Sequence, residues 1–187
     1  MMNAEFVKAQ RHFLRGEYGI SIMDFNSALE HGVDPSLVHM PRGISHLKNG
    51  DFIDAVEDFS HALKIDPIND QAFFLRGIAH FNNSDVEMAL DDFNDSISRN
   101  GRRGAAYVAR SLALKAMDRV TEAENDMKTA LSLADVEVES FIKEYCISLT
   151  MYKMAMSLFD LGKEPWTPEM RENAWKSNID AAKACNG

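Results

Sequence analysis

The chain has 187 residues, with 20 basic and 29 acidic side chains, a net charge of −9 and 45% hydrophobic residues. That length can bury a core without disulfides or a structural metal, and the charge argues against a nucleic-acid or anionic-membrane partner, either of which needs a concentrated basic face. Two cysteines, Cys146 and Cys185, build neither a disulfide framework nor a metal site, the first residues form no apolar leader, and no stretch is long enough to span a membrane, so a cytoplasmic location is expected.

From the N-terminus onward the chain repeats itself with a period of 34. Pro41-Arg42-Gly43-Ile44-Ser45-His46 returns as Leu75-Arg76-Gly77-Ile78-Ala79-His80. One step further lands on Arg110-Ser111-Leu112, and one step back on Lys8-Ala9-Gln10. The second half of each unit keeps the same phase. Phe25, Phe59, Phe93 and Met127 form one column, Ser21, Ala55, Ala89 and Ala123 a second, and Ala28, Ala62, Ser96 and Ala130 a third. Small residues stand where two helices approach closely, and a large apolar residue one turn on fills the space beside them. Four units follow without insertion: 2–35, 36–69, 70–103 and 104–137, each predicted to be a pair of helices. Gly16, Gly50 and Ser84 fall in the turns within units, and Asp34-Pro35 and Asp66-Pro67 mark turns between them. Ser84-Asp85-Val86-Glu87 can form a capping box, and Asp51 can cap the second helix of its unit. Pro41, inside the first helix of the second unit, either bends that helix or moves its start to about residue 38. No stretch alternates with period two, so no sheet is expected.

Beyond the repeats, residues 138–162 read as a long capping helix, and 163–187 as a loop followed by a helix over about 168–184 that carries Trp175 and Ile179. About −8 of the net charge lies on the repeats, since 6 basic and 7 acidic residues follow Glu137.

These columns resemble the tetratricopeptide repeat (TPR) family, with Gly43, Ala55, Phe59, Ala62 and Pro67 of the second unit and Phe73, Gly77, Ala89 and Phe93 of the third in register with its pattern. The resemblance implies an all-α fold of antiparallel helix pairs wound into a right-handed superhelix, whose first helices line a concave groove. On that expectation the lining columns are Asn3, Phe6, Val7, Gln10, Phe13 and Leu14; Leu37, Met40, Pro41, Ile44, Leu47 and Lys48; Gln71, Phe74, Leu75, Ile78, Phe81 and Asn82; and Ala105, Val108, Ala109, Leu112, Lys115 and Ala116. Setting Pro41 aside, 17 of these 24 are hydrophobic, against 45% of the whole chain. A helix apolar on both faces does not sit against open water. Either the C-terminal helix (Trp175, Ile179) folds into the groove, or a partner's apolar or amphipathic segment docks there. The partner-binding groove is assigned to Phe6, Phe13, Leu37, Met40, Ile44, Leu47, Phe74, Ile78, Phe81, Val108 and Leu112. Related modules that clamp the acidic C-terminus of heat-shock chaperones use Lys, Asn and Arg in those columns. Here Phe6, Gln10, Pro41 and Leu75 stand there, so a carboxylate clamp is not expected.

Basic residues recur as Lys8, Arg42, Arg76 and Arg110, and aspartates 16 residues later as Asp24, Asp58, Asp92 and Asp126. An arginine row gripping an acidic ligand is one reading. The joint recurrence of both partners favours the other, a repeated ion pair inside each hairpin. His12, His46 and His80 also recur at 34. Two nitrogens on one zinc lie about 3–4 Å apart, whereas stacked units are separated by roughly 8–10 Å. The rings cannot share an ion without other ligands, and no metal or cofactor is expected. Phosphate-loop, zincin and serine-elbow motifs are lacking, so an enzyme is not expected. The expected role is a protein-interaction adaptor or scaffold. Its alternatives are a self-assembling scaffold that binds further copies of itself, and a chaperone resembling the bacterial cytosolic TPR chaperones of type III secretion translocators.

Overall fold

The computed structural model describes residues 3–133, apart from the side chain of Leu131. Every regular element among them is a helix: α1 (Ala4–Leu14), α2 (Tyr18–Glu30), α3 (Pro35–Asn49), α4 (Phe52–Ile65), α5 (Asp70–Asn82), α6 (Val86–Arg99), α7 (Gly104–Ala116) and α8 (Val120–Ser132). The chain divides into two compact units, Met1–Asn100 and Gly101–Gly187. In the first, α1–α2, α3–α4 and α5–α6 are hairpins; α2 packs on α3, α4 packs on α5, and the first helices touch in order, α1 with α3 and α3 with α5. In the second, α7 and α8 form one hairpin. No helix of the described residues is long and apolar enough to cross a membrane. The proposed capping helix over 138–162 and the helix carrying Trp175 and Ile179 lie outside the described residues.

Local chemistry accounts for the helix ends. The side chains of Asn3, Asp34 and Asn69 accept backbone N–H groups of the helices they precede, at 2.9 Å from Glu5, Ser36 and Ala72 respectively. Pro35 occupies the first turn of α3, where a missing N–H costs nothing. That helix starts there rather than near residue 38, and it continues through Pro41 to Asn49. Ser45 Oγ donates to the Pro41 carbonyl at 2.9 Å.

All four hairpin turns have one geometry. Gly16, Gly50, Ser84 and Asp118, each 34 residues after the last, adopt φ of 74°, 89°, 71° and 60°. The following N–H returns five residues in every case: Glu17 to His12, Asp51 to His46, Asp85 to His80 and Arg119 to Leu114, at 2.9–3.0 Å. This is the Schellman closure of a helix, and its left-handed residue is normally glycine. It also corrects two sequence expectations. Ser84 is the left-handed closing residue of α5, so its hydroxyl caps nothing in α6, and the residue preceding α6 is Asp85, without a side-chain cap bond. Asp51 likewise makes no cap bond to α4; its Oδ2 accepts from Asn49 Nδ2 at 2.8 Å. With ψ of 68° and 66°, Asp51 and Asp85 lack the extended backbone that aims a capping carboxylate along the helix.

Because a non-glycine residue in the left-handed region costs about 1 kcal/mol or more, Ser84→Gly should stabilise the protein by about 1 kcal/mol. Asp118→Gly should gain less, since aspartate tolerates that region better. Chemical denaturation of both variants checks the order; a destabilised Ser84→Gly would contradict it.

The core lies between the helices of each pair. Phe25, Phe59 and Phe93 are fully buried, as are the small residues Ala28, Ala55, Ala89 and Ser96 beside them. Opposite stand Ala9, Gly43 and Gly77. At Gly77 a Cβ atom would come within 2.6 Å of Phe93 Cε1 and 3.2 Å of Asp92 Cβ; at Gly43 it would come within 2.9 Å of Phe59 Cε1. These glycines are therefore where the second helix of the pair presses its aromatic ring against the first.

Candidate functional site

The structure brings the recurring basic and acidic residues together within each hairpin. Lys8 Nζ lies 2.8 Å from Asp24 Oδ1. Arg42 grips Asp58 with two parallel bonds of 2.8 and 2.7 Å, Arg76 grips Asp92 at 2.9 and 2.7 Å, and Arg110 grips Asp126 at 2.7 and 2.7 Å. All four aspartates are buried. The bonds to the aspartates hold Arg42, Arg76 and Arg110 above the ordinary arginine value, in each case against the opposing effect of burial. Burial pushes the Asp92 carboxyl up, and the bonds from Arg76 only partly offset it. At Asp24 burial also pushes upward, but bonds from Lys8 and from His12 Nδ1, 2.5 Å away, bring that carboxyl net below its usual range.

A third contact was not foreseen. Arg42 Nη1 donates to Asn26 Oδ1 on α2 at 2.6 Å, and Arg76 Nη1 donates to Ser60 Oγ on α4 at 3.1 Å. Each arginine thus joins its own hairpin to the one before. The signal was in the chain, since Asn26 and Ser60 precede Arg42 and Arg76 by 16 residues, as Asp58 and Asp92 follow by 16. It lacked a charge to draw attention.

The three histidines of the repeating column face carboxylates of their own units, not one another. His12 Nε2 lies 3.6 Å from Glu17 Oε2, His46 Nδ1 lies 3.4 Å from Asp51 Oδ2, and His80 Nδ1 lies 3.7 Å from Asp85 Oδ2. The fourth unit has Leu114 and Arg119 in these two places, so histidine and turn acid are lost together. A further histidine, His39, donates or accepts at Asp58 Oδ1 over 2.9 Å and stacks on His61, ring centroids 4.8 Å apart.

The proposed groove residues divide by helix. On α5, Phe74 and Ile78 are fully buried and Phe81 nearly so, with the Phe74 ring 6.3 Å from that of Phe93. On α7, Val108 and Leu112 are fully buried. On α1 and α3 the columns are more open. Leu14 is 82% exposed and Leu37 54% exposed, Phe13, Met40 and Ile44 are partly covered, and Phe6 and Leu47 are buried, Phe6 against Phe25. Phe13 packs edge-on to Tyr18, and Met40 leans on the cluster of Ala62, Leu63, Ala72 and Phe73. An apolar surface therefore remains accessible on the first helices of the first two hairpins. The partners of the C-terminal pair Trp175 and Ile179 lie beyond the described residues.

No family model matches the sequence, and no curated protein does. Solved structures do. The chain is similar to the crystal structure of MamA at a TM-score of 0.65 and 16% identity, over 86% of this chain and 97% of that one. It is similar to the Arabidopsis OM64 TPR domain at a TM-score of 0.53 and 21% identity, over 67% and 95%. A third likeness, at 0.50 and 21% over 69% and 95%, is to the first TPR of Spaghetti (RPAP3) bound to the HSP90 peptide SRMEEVD. The fold is accordingly that of tetratricopeptide repeats, all-α and built from antiparallel helix pairs.

Proposed function

We propose that this chain, a tetratricopeptide-repeat array by fold, is an interaction scaffold rather than an enzyme, and that it binds an apolar or amphipathic protein segment along the first helices of its hairpins. The observation that supports this reading is the uncovered apolar set on α1 and α3. Leu14 and Leu37 are exposed beyond half of their surface, beside the partly covered Phe13, Met40 and Ile44. Removing such side chains from water contributes about 1.5–3 kcal/mol each when burial is complete, and a few well-seated anchors of this kind carry most of the energy of an interface. The solved neighbour that holds SRMEEVD does so with an acidic-ended peptide. Phe6, Gln10, Pro41 and Leu75 in the lining columns of this chain offer no matching set of cations, so its ligand is read as apolar.

A photo-crosslinking residue at Leu37 of the full chain tests the reading. It should capture a discrete polypeptide, and Leu14→Glu or Met40→Glu should abolish capture while circular dichroism stays unchanged. Ile53→Glu, on the exposed side of α4, should leave capture intact. Capture indifferent to charge on α1 and α3 would refute the proposed surface. If the chain's own residues 168–184 compete for it, removing everything after Glu164 should increase capture, because a tethered segment acts at high effective concentration. Sedimentation identifies the case in which the captured partner is a second copy.

A further inference from the structure

We propose that His46, Asp51 and Asp54 form a binding site for a divalent first-row transition-metal ion at the turn between α3 and α4. One ligand atom from each of the three lies within 4.8 Å of the other two. Around a zinc-sized ion, ligand atoms at about 2.0–2.2 Å from the metal sit roughly 3–3.5 Å from one another. The gap closes by a modest rotation of Asp54, which is exposed on the first turn of α4.

Two of the three donors are already held in place. The backbone of Asp51 returns to the His46 carbonyl at 2.9 Å through the left-handed turn at Gly50. Asn49 Nδ2 donates to Asp51 Oδ2 at 2.8 Å, which leaves that carboxylate further lone pairs for a metal. The His46 side chain is only 14% exposed, so its ring is fixed by packing, whereas the carboxylate side stays open and leaves coordination positions for water.

What separates this unit from the others is its third donor. The first and third units repeat the pairing of histidine and turn acid as His12 with Glu17 and His80 with Asp85, but they carry Ile20 and Met88 where the second unit carries Asp54. One imidazole and two carboxylates suit the borderline ions from manganese to zinc. The N-terminus of α4 opposes a cation with roughly half a positive charge, and the two full negative charges outweigh it.

Cobalt(II), added to the full chain at pH 7.5 and followed by calorimetry and absorption, tests the site. One equivalent should bind without a thiolate charge-transfer band, which sets this site apart from Cys146 or Cys185. Asp54→Asn and His46→Gln should each weaken binding by about tenfold or more. Met88→Asp supplies the third unit with the missing donor beside His80 and Asp85, and should create a second equivalent. Cobalt binding that is absent, that survives Asp54→Asn unchanged, or that arises only through thiolate would overturn the proposal. So would Met88→Asp leaving the stoichiometry at one.

Discussion

Arg76→Met should destabilise the protein more than the double replacement Arg76→Met/Asp92→Leu. The single change leaves the Asp92 carboxylate inside the α5–α6 hairpin without the two bonds of 2.9 and 2.7 Å that now compensate its burial. Breaking one side of a buried pair costs about 3–5 kcal/mol, whereas replacing both members with apolar residues of similar size is often close to neutral. Arg76 is 24% exposed at its side chain, which places the single change near the lower end. At about 3 kcal/mol the melting temperature should fall by roughly 6–12 °C for a chain of this size. The double variant should recover more than half of that loss. The directions of the two titrations agree with this picture: the pair favours charge on Arg76, while burial works against charge on Asp92. Thermal melts of wild type, both single variants and the double complete the cycle. A single variant no less stable than the double would mean that Asp92 does not depend on Arg76.

Gly77→Ala should be the second large effect, and it runs against helix propensity. In an exposed helix interior the change would gain about 1 kcal/mol. Here the new methyl would stand 2.6 and 2.8 Å from two atoms of the Phe93 ring, closer than carbon atoms pack. Phe93 is fully buried, and the Phe74 ring lies on another side of it, 6.3 Å away, so it has little room to retreat. Overpacking of this kind costs about 1–3 kcal/mol, and the net result should be a loss of about 1–2 kcal/mol. Gly43→Ala should lose less, because the nearest ring atom is 2.9 Å away. Urea denaturation of the two variants gives the order; an equal or more stable Gly77→Ala would show that the hairpin can open without cost. The first unit carries Ala9 in this column, fully buried, so the steric limit belongs to individual hairpins and not to the repeat as a whole.

Much of this arrangement could be read from the residues, and the reason is the shortness of the turns. When two helices are joined by three or so residues, a spacing of 16 places its members opposite each other. Arg76 and Asp92 could therefore be matched by counting, as could Gly77 with Phe93. The turns themselves were half legible. Gly16 and Gly50 announced them, but Ser84 was read as a helix cap because serine favours that position too, and only the backbone angle separates the two roles. Least legible was the difference between α5 and α3 along the proposed groove. Phe74 and Leu37 look alike as apolar residues in one column, yet one is fully buried and the other is 54% exposed. Burial of that kind depends on which neighbours arrive from elsewhere in the chain, and periodicity within a unit does not encode it.

The three-way reach of Arg42 and Arg76 has a consequence for how the first unit melts. Each guanidinium holds Asp58 or Asp92 within its own hairpin and Asn26 or Ser60 in the preceding one. No hairpin of the three can come undone without releasing a donor or acceptor belonging to its neighbour. Fraying from an end is therefore opposed at every step, and the hairpins are coupled into a cooperative block in which stability added to one is shared by the next.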